Sequence, residues 1–117
     1  MGEQVMGEFM SAEHPTTGTA TLTVDGDTRY IEFSDDFQTD PGPDLFVVLH
    51  VSPDVIGTTS APSHSFAEGD YVLLEPLQAV SGAQRYAIPA EVDLSQYGSV
   101  AIWCRQFNAT FGAASLR

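Results

Sequence analysis

The chain has no lysine. Four arginines stand against sixteen Asp and Glu in 117 residues, a formal net charge of -12. Phosphate binding needs clustered cations, so nucleic acid is a poor partner, and anionic membrane surfaces are disfavoured for the same reason. There is one cysteine, Cys104, and one tryptophan, Trp103. A single cysteine excludes an internal disulfide, a C-x-x-C redox pair and a Cys-cluster zinc site. No apolar run approaches the ~20 residues of a membrane-spanning helix, so no membrane insertion is expected. The longest run, residues 45–49, is strand-sized. Residues 1–10 carry Glu3 and Glu8 and no basic segment, which is not the pattern of a signal peptide. Helical signal is thin, with only residues 91–97 ahead of Gly98 able to make a short turn.

What is present is a hydrophobic fraction of 43%, enough for one folded domain over residues 1–117. A Lys-free acidic surface reads first as a source of solubility. A cationic partner or a high-salt habitat are the alternatives. Periodicity is close to 2 along most of the chain. In Thr19-Ala20-Thr21-Leu22-Thr23-Val24, Ala20, Leu22 and Val24 face one side. Asp25-Gly26-Asp27 is a hairpin turn signal, and the chain returns with Ile31 and Phe33 facing inward. Residues 45–51 and 71–74 are apolar on both faces, as inner strands are. Residues 84–88 form a short strand closed by Pro89. Residues 99–107 read as the longest strand, its 100–107 part apolar on both faces and inner like 45–51; residues 109–116 read as the last, while residues 5–10 suit a first or edge strand. Residues 52–69, rich in Ser, Thr, Pro and Gly, read as a long loop. Pro41 and Pro43 force extended backbone before them and Gly42 gives freedom between them, so Gly42-Pro43-Asp44 is expected to turn the chain into a central strand. The expected fold is all-β: an antiparallel β-sandwich or flattened barrel of about seven or eight short strands.

Four constellations could carry chemistry. A blue-copper site takes one thiolate, two imidazoles and often a weak axial Met. His14, His50, His64 and Cys104 satisfy the inventory, but the tail after Cys104 holds neither the His nor the Met that such sites place there. A hard cation could use Asp35, Asp36, Asp40 and Asp44, yet their spacing does not match an EF-hand, and acidic loops are commonly just solvated. Cys104 could act as a nucleophile with a His and an acid. Its parity with Val100 and Ile102 instead places it on an apolar strand face, where a thiol is inert. Arg105 points to the opposite face by the same parity. Asn108-Ala109-Thr110 matches the N-glycosylation sequon, but Thr110 reads first as a strand position. For Asp44, local turn hydrogen bonding is the simplest role.

The order of blocks has a familiar form. Gly7-Glu8-Phe9, His14, Gly18-Thr19-Ala20, Ile31-Glu32-Phe33, Phe37 and Gly42-Pro43-Asp44-Leu45 make one half. Gly82-Ala83-Gln84-Arg85-Tyr86-Ala87-Ile88-Pro89, Leu94, Tyr97, Ser99-Val100-Ala101-Ile102-Trp103-Cys104, Phe107 and Phe111-Gly112-Ala113-Ala114-Ser115-Leu116 make the other. This resembles the DM13 domain family over nearly the whole chain. The resemblance implies a compact all-β extracellular or periplasmic domain, found alone or beside DOMON and cytochrome b561-type domains, which are then the expected redox partners. It implies an electron-transfer role centred on Cys104, with Asp44 and His14 as the other matched residues and weak metal candidates, and it names no cofactor. The rival reading is a non-enzymatic ligand- or protein-binding module in which Cys104 is a structural core residue.

Overall fold

A computed structural model describes residues 5–116. Among them, eight strands form one antiparallel sheet: β1 (Val5–Ser11), β2 (Thr19–Asp25), β3 (Thr28–Phe33), β4 (Leu45–His50), β5 (Tyr71–Pro76), β6 (Gln84–Ile88), β7 (Ser99–Cys104) and β8 (Ala109–Ser115). Their spatial order is β5-β4-β7-β8-β1-β2-β3-β6. The sheet curls until β5 and β6 approach each other. There the Gln78 backbone N–H donates to the Tyr86 hydroxyl at 2.8 Å, and Gln78 Nε2 donates to the Arg85 carbonyl at 2.8 Å. The result is a nearly closed barrel, which selects the flattened-barrel form of the expected fold over the sandwich.

The first hairpin follows its sequence pattern. Ala20, Ile31 and Phe33 are buried, and Gly26 takes the positive φ of 63° that the tight turn needs. Val24 departs from the pattern: it pairs with Arg29 beside the turn and is 70% exposed. The hairpin tip projects past the core, so alternation there no longer means burial. β1 is first in sequence but not at an edge. It lies between β2 and β8, because the last strand returns to pair with it. At that junction a side chain on Gly112 would collide with Thr16.

The interior is filled by Phe9, Ile31, Phe33, Phe37, Val47, Leu49, Tyr86, Val100, Ile102 and their neighbours. A second core lies on the outer face of β4, β7 and β8, built from Val48, Val55, Phe66, Ala101, Trp103 and Ala113. Its cover is the segment expected to be a plain loop. Residues 51–70 leave β4, form one short helical turn, α1 (Val55–Thr58), and cross the sheet to the β7–β8 turn. Asp54 caps that helix by accepting from the Gly57 N–H at 3.1 Å. This strap explains why β4 and β7 are apolar on both faces. β5 also reads as apolar on both faces, yet it is an end strand and Leu73 is 37% exposed. Leu94–Gln96 form a short 3-10 turn within the segment expected to make one.

β7 is shorter than expected. It stops at Cys104, and residues 105–108 form a turn. Asn108 closes that turn at a φ of 49°, a left-handed conformation that Asn tolerates better than most residues. Thr110 is fully buried in β8, as its strand reading required.

Candidate functional site

Cys104 is the last residue of β7, directly opposite Leu45 of β4 and Ala109 of β8. Its exposure is 0%, and it shares the barrel interior with Val100 and Ile102. Its thiol is free. Arg105 does not continue the strand to the opposite face, because it starts the turn. Its Nε donates to Asp44 Oδ2 at 3.0 Å and its second guanidinium nitrogen to Asp44 Oδ1 at 3.4 Å. Its backbone N–H donates to the Asp44 carbonyl at 3.0 Å, and the guanidinium carbon lies 4.6 Å from the Phe46 ring centroid. Asp44 therefore has a partner 61 residues away rather than a local turn role. The cation next to Cys104 in sequence is held by Asp44.

Gly42-Pro43-Asp44 does enter β4 through a turn. Gly42 packs tightly there: a Cβ would stand 3.0 Å from the Phe111 ring and 3.2 Å from Leu45. Phe111 also carries His14. The two ring centroids are 3.9 Å apart, and the His14 N–H donates to the Phe111 carbonyl at 3.3 Å. His14 Nδ1 lies 3.0 Å from Asp40 Oδ2, and Nε2 lies 3.4 Å from Glu13 Oε1. Beside this dyad, Pro15, Thr17, Gln38 and Asp40 line a shallow hollow. The β1–β2, β3–β4 and β5–β6 loops are stitched across this end of the barrel. The Thr17 N–H donates to Gln38 O at 2.9 Å, the Thr39 N–H to Val80 O at 2.8 Å, and the Gly82 N–H to Phe37 O at 2.9 Å. Beneath them the Thr16 and Thr39 hydroxyls meet at 3.0 Å, both residues buried.

One end of the barrel thus holds His14, Asp44 and Cys104. It does not assemble them into a metal centre: among the described residues no three His, Cys, Asp or Glu come together to hold an ion. The copper set fails on geometry. His50 lies five residues along β4 from Leu45, the partner of Cys104, or roughly 17 Å at the rise of a strand. It faces the second core, where its ring packs 4.4 Å from Phe66. His64 belongs to the strap, with Nδ1 2.9 Å from Thr59 Oγ1. The calcium set is also dispersed, since Asp36 accepts from the Ser34 hydroxyl, Asp40 faces His14 and Asp44 holds Arg105. No Cys–His–acid chain runs through Asp44, whose charged partner is Arg105.

His50 is the histidine with a clear electrostatic signature. Burial lowers its pKa from 6.5, and the Asp70 carboxylate opposes that shift. Its Nδ1 accepts from the Ser52 N–H at 3.0 Å, which requires the neutral ring nitrogen.

Sequence reasoning missed Asn108. Its Oδ1 accepts from the Phe66 N–H at 2.8 Å and the Trp103 Nε1–H at 3.0 Å, while its Nδ2 donates to the Phe66 carbonyl at 3.0 Å. The sequon asparagine is thus the brace between strap, turn and tryptophan. The available signal was an Asn at the end of a four-residue turn, a position suited to left-handed backbone.

Taken together, these features define a small all-β barrel domain with a single interior thiol at one capped end. A family model described as electron transfer DM13 matches residues 8–116, and the chain belongs to the DM13 family. Neither the curated proteins nor the solved structures that were compared gave a match. Among the described residues no helix is long and apolar enough to cross a membrane.

Proposed function

We propose that this chain is an electron-transfer domain working outside the cytoplasm, with Cys104 as its redox group and a redox protein of the DOMON or cytochrome b561 type as its partner. Membership of a family described as electron transfer supports the redox part. The observation that carries the Cys104 assignment is convergence. The Gly-Pro-Asp-Leu block, His14 and the Trp-Cys and Phe-Gly blocks lie far apart in sequence, yet meet at the one barrel end that holds the thiol.

Access to the thiol comes from local opening. Cys104 is fully buried, but the next residue is an exposed turn residue, and the ion pair beside it has side chains 55% and 25% exposed for Arg105 and Asp44. Pairs of this kind contribute about 0–1 kcal/mol, so opening costs little on the Asp44 side of the turn, while the Asn108 bonds on its other side stay closed. Once exposed as a thiolate, Cys104 can attack a disulfide. One S–S bond breaks, a mixed disulfide forms and the second sulfur leaves as a thiolate.

The structural-thiol reading has its own support in the complete burial of Cys104 and the engagement of Arg105 by Asp44. A glutathione redox titration separates the two. The folded protein is held in buffers of graded oxidised-to-reduced ratio, and the mixed disulfide at Cys104 is quantified by intact mass. Reversible oxidation under native conditions supports the redox reading. A thiol that stays reduced until denaturant is added supports the structural one.

A further inference from the structure

Among the described residues, Phe107 is the only Phe, Tyr or Trp classed as exposed, at 63%. It sits at the tip of the β7–β8 turn, beside the barrel end that holds Cys104. Single exposed apolar side chains are ordinary on a protein surface, so its setting decides what it means. The turn is held at both shoulders. On one side Arg105 is pinned by Asp44 and stacked on Phe46. On the other, Asn108 makes three side-chain hydrogen bonds to Phe66 and Trp103. Phe107 is therefore presented by a braced turn, and the entropy of ordering it on binding is small.

The domain that carries it is strongly acidic, with a formal net charge of -12. The loops at this end carry Glu13, Asp35, Asp36, Asp40 and Asp44, and the turn itself contributes Arg105, which is already paired. An aromatic anchor on an acidic barrel end matches an apolar recess on a basic partner: the anchor supplies affinity, and the opposite charges supply orientation and rate. Anionic membrane is the wrong complement, since its surface repels the same carboxylates.

We propose that the Phe107 turn is a docking knob for a basic redox protein, whose apolar recess takes Phe107 and whose Lys and Arg face the acidic loops of the same barrel end. This rests on the electron-transfer reading and names the surface through which that reading works.

Binding is measured in the Cys104→Ser background, so that docking is scored independently of thiol chemistry. The 15N-labelled protein is titrated with basic cytochrome c at low salt. Amide shifts should cluster at residues 105–108 and in the loops 12–18 and 34–44. Phe107→Ser, at an exposed site that leaves the fold intact, should weaken binding about tenfold. Binding should also fall at about 0.15 M salt, where screening sets in within about 8 Å. Asp25→Asn with Asp27→Asn, at the opposite end, should change little. The proposal is overturned if the shifts centre on the β2–β3 hairpin or if Phe107→Ser binds as tightly as its parent. It is equally overturned if Phe107 drives binding to phosphatidylcholine vesicles and cytochrome c is not bound.

Discussion

Replacing Asn108 by Ala should be among the most damaging single changes outside the barrel interior. Three side-chain hydrogen bonds disappear together, leaving the Phe66 N–H, the Trp103 Nε1–H and the Phe66 carbonyl without their partner. At about 1 kcal/mol for each bond, the loss is about 3 kcal/mol. Ala at a φ of 49° adds about 1 kcal/mol of backbone strain that Asn tolerates. The total is about 4 kcal/mol, a large part of the stability of an ordinary domain. Urea unfolding followed by fluorescence reads this directly, because Trp103 is the only tryptophan and is 4% exposed in the fold. With a slope of about 1.5 kcal/mol/M, the midpoint should fall by roughly 2–3 M. Asn108→Gly relieves the strain but not the lost bonds, and should fall in between. A shift under about 0.5 M for Asn108→Ala would refute the view that this residue fastens the strap to the sheet.

Other changes test other parts of the structure. Asp44→Asn should cost less than about 1 kcal/mol in thermal melts, since it removes a part-exposed ion pair, and added salt should erase the difference; a larger loss would show a buried-charge role. Burial pushes the Tyr86 hydroxyl up to about 12 from 10.0. Its folded pKa is the higher one, so the stability it contributes is complete below pH 10.0 and is lost as pH rises towards 12. Tyr86→Phe should flatten that alkaline decline in urea midpoints, and a decline of unchanged slope would place its origin elsewhere. For His50 the sign is reversed. Its lowered folded pKa means the unfolded chain binds the proton first, so stability should drop as pH falls below 6.5. His50→Gln should remove that part of the acid dependence.

Much of the barrel was legible in the sequence, and the failures have physical causes. The β2–β3 hairpin follows from strict alternation and a Gly-containing turn. β4 and β7 stand out as inner strands because both of their faces are apolar. The burial of Cys104 follows from its parity with Val100 and Ile102. The strap over the second core was not legible. Val55, His64 and Phe66 are scattered among Ser, Pro and Gly without a period, and burial there depends on where the segment lands. The interior position of β1 depends on the last strand returning to it, a long-range pairing that local pattern cannot encode. At the candidate site, Asp44 was read as a turn residue because its partner Arg105 lies 61 positions on. Phe107 was placed inside a strand because the turn that exposes it hinges on the left-handed Asn108.

The claim that Cys104 is reached by local opening at the capped end is tested most directly by its labelling rate. The folded protein is exposed to a thiol reagent at neutral pH across low urea concentrations, well below the unfolding midpoint. Local opening exposes little surface, so the rate should be nearly independent of urea and far faster than global unfolding permits. Arg105→Ala should quicken it by loosening the end. A rate that rises with urea along the full slope of global unfolding, and that ignores Arg105→Ala, would make Cys104 a structural thiol and contradict the redox role proposed for it.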